Sequence, residues 1–325
     1  MAIGIRTAWL ALLGLVLALV PAQAQQYPTR PITIVIPLPP GGSNDIMARS
    51  VADKLAASLG QPVVVENRAA GASGTIGTRS VARSAPDGYT LLLGYTSTLA
   101  TAPSMYRNIG YDPRKDFAPI GLIAWAPSLL LVHPTLPVRS VGELIATMKQ
   151  SPEPFQVGTP GIGTVNHLAS VLFAQQAGVK VEQIPYKGSA PLSTDLMGGH
   201  VKVGFNPIPV SRAAMDGGYL RALAATSMKR STFLPDLPTV AENGLPGFDA
   251  VLSYGLVAPA GTPRSVIERL NKELRAALAT EEVRRRLYQE GAEPMPGTPE
   301  EQAAVIDREE TKWSAVIKAA GIQPE

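Results

Sequence analysis

The chain has 325 residues, 45% of them hydrophobic, 17% charged and 6% aromatic, with 30 glycines, 30 prolines and no cysteine. This composition excludes a disordered chain, which needs low hydrophobicity and high charge, and the glycines and prolines show no collagen-like period. The 29 Lys+Arg against 26 Asp+Glu leave a net charge of +3 with no dense basic stripe, which argues against a nucleic-acid surface, and the lack of cysteine removes disulfides, thiolate nucleophiles and Cys-ligated zinc.

The length suggests two domains. At the start, Arg6 precedes an apolar run from Ala8 to Val20, followed by Pro21 and Ala22-Gln23-Ala24. A positive start, a short apolar stretch and an A-x-A end make residues 1–24 a secretory signal peptide, cut after Ala24. The run is shorter than the ~20 residues of a membrane span. An uncleaved anchor helix is the alternative. The expectation is a soluble exported protein.

Short apolar runs then alternate with helical patterns. Ile32 to Ile36 reads as a strand, followed by a helix from Asp45 to Leu59, with apolar residues at 46, 47, 51, 55 and 59. Val63 to Val65, Tyr89 to Leu93, Leu129 to Val132, Gln156 to Gly158, Val181 to Ile184, Val201 to Val203 and Leu220 to Ala225 read as further strands, with a weaker helix from Thr75 to Arg83. Ser140-x-x-Glu143 and Thr298-x-x-Glu301 have capping-box form, and Thr262-Pro263 places proline at a first helical position. Two long amphipathic helices close the chain, from about Pro263 to Gln289 and from about Pro299 to Ala320. Strands alternating with helices predict an α/β fold with parallel, doubly wound sheets. The proline-rich stretches at 126–137 and 232–247 are the candidates for segments crossing between domains.

Three strand-to-helix junctions are glycine-rich: Pro40 to Asp45, Gly71 to Gly74 and Gly158 to Thr164. In open α/β sheets ligands sit beyond the carboxyl ends of the strands, where a helix start offers free N–H groups and partial positive charge to a carboxylate or phosphate. Ser43, Asn44, Ser73 and Thr164 add neutral hydrogen-bonding groups there. Any one such loop is also ordinary capping. Asp45 reads as a helix-start residue, since its carboxylate would repel an anion.

Enzyme signatures are weak beside this. Gly161-Ile-Gly163 follows a strand, with Glu182 nineteen residues beyond Gly163, but Asn166 stands at the third glycine of a dinucleotide fingerprint. No G-x-S-x-G elbow occurs, and His167 near a helix start reads as a packed or capping histidine. His133, His167 and His200 lie more than thirty residues apart, which disfavours a His-built metal site. No cofactor and no catalytic residue is expected.

The motifs PLPPGGSNDIMAR (37–49), ENRAAGASGTIG (66–77), DGYTLLLG (87–94), GTPGIGTVNHLASVLF (158–173), PYKGSAPLSTDLMGGHVKVGF (185–205) and APAGTP (258–263), in this order, resemble the Bug-type, TctC-like solute receptors of tripartite tricarboxylate transport systems. The resemblance runs through the mature chain. It implies a type II periplasmic binding protein: two α/β domains joined by two crossings, the first of residues 25–127 plus 233–325 and the second of residues 128–232. It implies a periplasmic monomer that traps a small carboxylate between its lobes and presents the closed form to a two-component membrane permease. An exported sensor that passes the closed form to a signalling partner is the alternative. Candidate ligand contacts are Gly41, Gly42, Ser43 and Asn44; Ala72, Ser73 and Ser97; and Thr159, Gly163, Thr164, Val165 and Asn206. The chain departs from the family where Leu38 replaces an aromatic residue, Asn206 an Asp and Ser253 often a Trp. Cleft-facing residues there would widen the pocket, and Asn206 would not neutralise a ligand ammonium, which points to a carboxylate without an amino group. The alternative is that these are packing positions.

Overall fold

The structure is a computed structural model and describes residues 27–70 and 72–324; the signal-peptide segment at 1–24 lies outside the described residues. The first sheet is built on β1 (Ile32–Ile36), which pairs in parallel with β2 (Val63–Asn67) and β3 (Thr90–Tyr95). The second is built on β5 (Phe155–Thr159), parallel to β6 (Val181–Pro185) and β7 (Val203–Pro207). Both are mixed rather than wholly parallel. β4 (Phe117–Val132) and β9 (Val251–Pro259) pair antiparallel, β3 joins β9, and β4 pairs antiparallel with β7, β8 (Arg221–Ala225) and the short β10 (Glu293–Pro294).

The reason β1 reads as a continuous β-branched run is that both faces of its sheet are covered. Ile32, Ile34 and Ile36 pack with Met47, Val51 and Leu55 of α1 (Ser43–Leu59) and with Leu270 and Leu274 of α8 (Arg264–Ala279). Val35, on the opposite face, packs with Val81 of α2 (Thr75–Ala82) and with Leu99 and Ile306. The second sheet follows the same plan. Leu130, Val157 and Phe205 pack with Leu144 of α4 (Val141–Gln150) and with Leu168 and Phe173 of α5 (Val165–Ala177). Leu129 and Leu131 face Leu192 and Leu196 of α6 (Ser189–Met197) and Ile208 of α7 (Ile208–Asp216). Between β3 and β4 lie a wide helical turn at Ser97–Thr101 and the short α3 (Ala102–Met105).

Local signals and structure differ at four places. The expected helix from Pro263 to Gln289 is two helices, α8 and α9 (Glu281–Gln289), broken at Thr280. Thr280 is extended; its hydroxyl donates to the Ala277 carbonyl (2.7 Å) and accepts from the Val283 amide (3.4 Å), while Glu281 and Glu282 favour a fresh helix start. Pro263 caps α8 rather than occupying its first turn. Of the two capping boxes, only Thr298 and Glu301 at the start of α10 (Pro299–Ala319) form both bonds; Glu143 instead accepts from the Arg139 amide. The strand expected at 201–203 begins at Val203 and extends through Pro207.

The crossings fall on strands. β4 pairs with β9 up to Pro127 and with β7 and β8 from Ser128 onward. Residues 239–250, beyond the boundary expected at 232, supply Val240, Leu245, Phe248 and Ala250 to the second core. α10 spans the junction, with Ile306 in the first core and the fully buried Trp313 in the second. The two crossings are tied by Thr226. Its hydroxyl accepts from the Ser128 amide (2.9 Å) and donates to the Ala250 carbonyl (2.7 Å), while its own amide and carbonyl bond Ser128 and Ala250.

Replacing Thr226 by valine keeps the volume and strands the Ser128 amide and Ala250 carbonyl in a buried site. The expected loss is about 2–4 kcal/mol, read as a lower urea midpoint at unchanged slope.

Candidate functional site

The carboxyl ends of β1, β2 and β3 lead into the loops at Pro37–Gly42, 68–74 and Thr96–Ser97; those of β5, β6 and β7 lead into the starts of α5, α6 and α7. At α1, Gly42 is the N-cap without a side-chain cap, and the Ser43 and Asn44 amides donate to no acceptor among the described residues. Gly41 has φ of +87°, a conformation that favours glycine. Asp45 pins this loop from behind. It accepts from Arg49 Nε (2.9 Å) and Nη2 (3.0 Å), from Asn67 Nδ2 (3.0 Å) and from the Gly41 amide (3.3 Å), while Asn67 also bonds the Leu38 carbonyl (3.1 Å). The Arg49 bonds above all, with Asn67 and the Gly41 amide, hold the Asp45 carboxyl below its usual range against the opposing pull of burial. Asp45 lies in the first turn of α1, where a helix-start residue was expected, and it also anchors the loop.

Ser43 Oγ donates to Glu290 Oε2 at 2.7 Å. Sequence reasoning passed over Glu290, which sits 247 positions away at the end of α9; no local pattern marks it. Ala72 lies in a short turn, Ala72–Gly74, in which Ser73 adopts a left-handed conformation (φ 51°) rare for a non-glycine. The Ser73 carbonyl accepts from Tyr95 Oη (3.1 Å), and its hydroxyl bonds Tyr106 Oη (2.8 Å). Ser97 is buried in the wide turn, where its carbonyl accepts from Thr101 Oγ1 (3.3 Å).

On the second sheet, Thr164 caps α5. Its hydroxyl accepts from the His167 amide (3.2 Å) and donates its proton to the Gly161 carbonyl (2.7 Å). That proton is committed, so a ligand anion would meet the Val165 and Asn166 amides, which have no acceptor among the described residues. His167 is buried, and desolvation lowers its pKa from the ordinary histidine value; its Nδ1 is placed to accept from the Gly163 amide (3.4 Å). It is a packed capping histidine. A Cβ added at Gly163 would lie 3.3 Å from Met105 Cε and 3.9 Å from Tyr106 Oη. Tyr106 thus brings the Ser73 loop of one sheet against the Gly163 loop of the other.

Thr159 ends β5, Asn206 is the last residue but one of the adjacent β7, and both are wholly buried. Thr159 Oγ1 and Asn206 Oδ1 have no hydrogen-bond partner, while Asn206 Nδ2 makes long contacts to the Ser189 carbonyl (3.4 Å) and Ser193 Oγ (3.5 Å). Of the departures from the family pattern, Leu38 is half-buried against the first core. Ser253 bonds Thr96 through its hydroxyl (3.1 Å) and amide (2.8 Å), and lines a cavity of about 520 Å³ with Trp125, Met228 and Met295 at the crossing. Among the described residues no three His, Asp or Glu side chains are placed to hold a metal ion, and no helix is long and apolar enough to cross a membrane.

A family profile, the tripartite tricarboxylate transporter family receptor, matches residues 47–322. The chain belongs to this receptor family. Protein BugT of Bordetella pertussis is similar to it, 40% identical over 320 residues that cover 97% of this chain and 98% of BugT. Among solved structures, Rpa4515 of R. palustris, determined with adipate, has 39% identity and a TM-score of 0.78, covering 92% of this chain and 100% of that one. MatC from Rhodopseudomonas palustris, with bound malate, has 32% identity and a TM-score of 0.73, covering 90% and 100%. The fold is the α/β periplasmic-binding-protein fold, and the TctC-family chain is a solute-binding receptor.

Asp45→Asn removes the charge that holds Arg49 and the Gly41 loop. The expected cost at neutral pH is about 0.5–1.5 kcal/mol, reduced by solvent screening at the exposed Arg49. The carboxyl is depressed in the folded state, so its contribution is complete above the unfolded pKa of about 4 and lost as pH falls through the lower folded value. Urea melts of the two proteins should accordingly converge in acid.

Proposed function

We propose that this protein captures a small carboxylate between two lobes in the periplasm and, as a monomer, presents the closed form to a two-component membrane permease, without chemistry of its own. The first lobe is residues 25–127 plus 233–325 and the second residues 128–232, with the segment 239–250 packing on the second. The ligand contacts are Gly41, Gly42, Ser43 and Asn44, Ala72, Ser73 and Ser97, and Thr159, Gly163, Thr164, Val165 and Asn206.

The observation that carries this reading is the pair Thr159 and Asn206. A buried polar atom without a partner costs about 1–3 kcal/mol, so folds keep one mainly where something else meets it. Here Thr159, the last residue of β5, and Asn206, near the end of the adjacent β7, each carry one, and β5 leads into the start of α5 with its unbonded Val165 and Asn166 amides. Helix-start amides favour an anion, and relatives solved with adipate and malate supply the ligand class. Closure follows from tighter binding to the closed state.

Calorimetry of the mature protein against a panel of two- to eight-carbon mono-, di- and hydroxycarboxylates should find at least one ligand. A folded protein that binds none would end the reading. Thr159→Val separates ligand contact from packing: removing an unpartnered hydroxyl should leave thermal stability without ligand unchanged or raised, yet weaken binding by about 1–3 kcal/mol. Unchanged affinity would take Thr159 out of the site.

A further inference from the structure

The starts of α1 and α5 are tied in the same way by different side chains. In α1 the third helical residue, Asp45, accepts from the Gly41 amide (3.3 Å) four positions back; in α5 the third residue, His167, accepts through Nδ1 from the Gly163 amide (3.4 Å), also four back. Gly41 and Gly163 both have positive φ, +87° and +75°. His167 thus does the work that Glu or Gln does in a capping box, with the Thr164 hydroxyl accepting from the His167 amide (3.2 Å) in return. The charges differ. Asp45 brings a carboxylate into the first turn of α1, and Arg49, one turn on, neutralises it at 2.9 Å. The counterpart of Arg49 in α5 is the buried Val171, and the first turn of α5 holds no acidic residue. No charged residue among the described ones lines the groove of about 340 Å³ on the outer side of His167, between α5, β6 and the end of α10. Burial of His167 lowers its pKa, which favours the uncharged ring. A carboxylate at position 167 would have no cation to answer it, and would take up the helix start whose partial positive charge favours an anion.

We infer that His167 is a positioning residue of the ligand site: it holds the Gly163 loop as a capping carboxylate would, and leaves the start of α5 free of acidic charge for the ligand anion. The inference rests on the receptor reading above, with the ligand carboxylate at the Val165 and Asn166 amides. In this role the ring does not touch the ligand. It acts through the loop it holds and through the charge it does not bring.

The test measures melting temperature, and calorimetric affinity for the two- to eight-carbon carboxylates with adipate and malate included, at pH 8 and fixed salt. It compares the wild type with His167→Gln, His167→Glu and His167→Leu. Gln and Glu can both reach back as capping acceptors and differ in charge, whereas Leu fills space without an acceptor. His167→Gln is expected to bind within about threefold of the wild type. His167→Glu should fold yet bind at least about tenfold more weakly, because like charges repel across the site. His167→Leu should bind at least about fivefold more weakly, through loss of the Gly163 bond. Wild-type affinity in a folded Glu or Leu variant overturns the inference. Affinities that fall in step with melting temperature across all three variants make His167 a packing residue only and overturn it too. If His167→Glu does not fold, the Gln and Leu variants decide. A folded wild type that binds none of the acids overturns the receptor reading and the inference with it; every other outcome leaves carboxylate binding standing.

Discussion

Thr226 is the residue on which the relation between the two sheets depends. Its hydroxyl, amide and carbonyl all bond Ser128 or Ala250, so one buried side chain joins both crossings. The knot also reaches the site. Ser128 Oγ accepts from Asn166 Nδ2 (2.8 Å), and Asn166 is the second residue of α5, whose amide faces the proposed ligand. The α5 start is thus bonded directly to the first crossing at Ser128. Tyr106 supplies the second point of contact, against Ser73 on one side and near Gly163 on the other.

Much of this was legible in the sequence. The continuous β-branched run of β1 and the apolar spacing of α1 follow from a sheet covered on both faces, and the glycine-rich loops do stand between strands and helix starts. Thr298-x-x-Glu301 forms its full box, whereas in the equally spaced Ser140-x-x-Glu143 the Glu143 carboxylate is taken by the Arg139 amide. Asp45 was readable as a helix-start residue, but its bonds to Arg49 and the Gly41 loop were not read.

What was not legible depends on distant partners or on a competition between local signals. The Thr280 break is invisible to apolar spacing, because the hydrophobic faces of α8 and α9 both point at the same core. β4 read as four residues rather than 16, since Pro119 and Pro127 look like breakers until an antiparallel neighbour with register shifts accommodates them. Thr164 drew attention as a ligand hydroxyl, yet the Gly161 carbonyl takes its proton. Glu290 carries no signal at all, because only the folded chain brings it to Ser43.

The commitment of side chains to local work has a consequence for specificity. Once Thr164 caps α5 and Asp45 anchors α1, the groups left for an anion are mainly backbone amides, which grip a carboxylate without distinguishing one acid from another. Recognition of the class and choice of the member then fall on different atoms. The glycine loops give the first, and they would serve a relative that binds adipate as well as one that binds malate. The second would rest, in the proposed site, on side chains without a local duty, of which Thr159 Oγ1 and Asn206 Oδ1 have no hydrogen-bond partner.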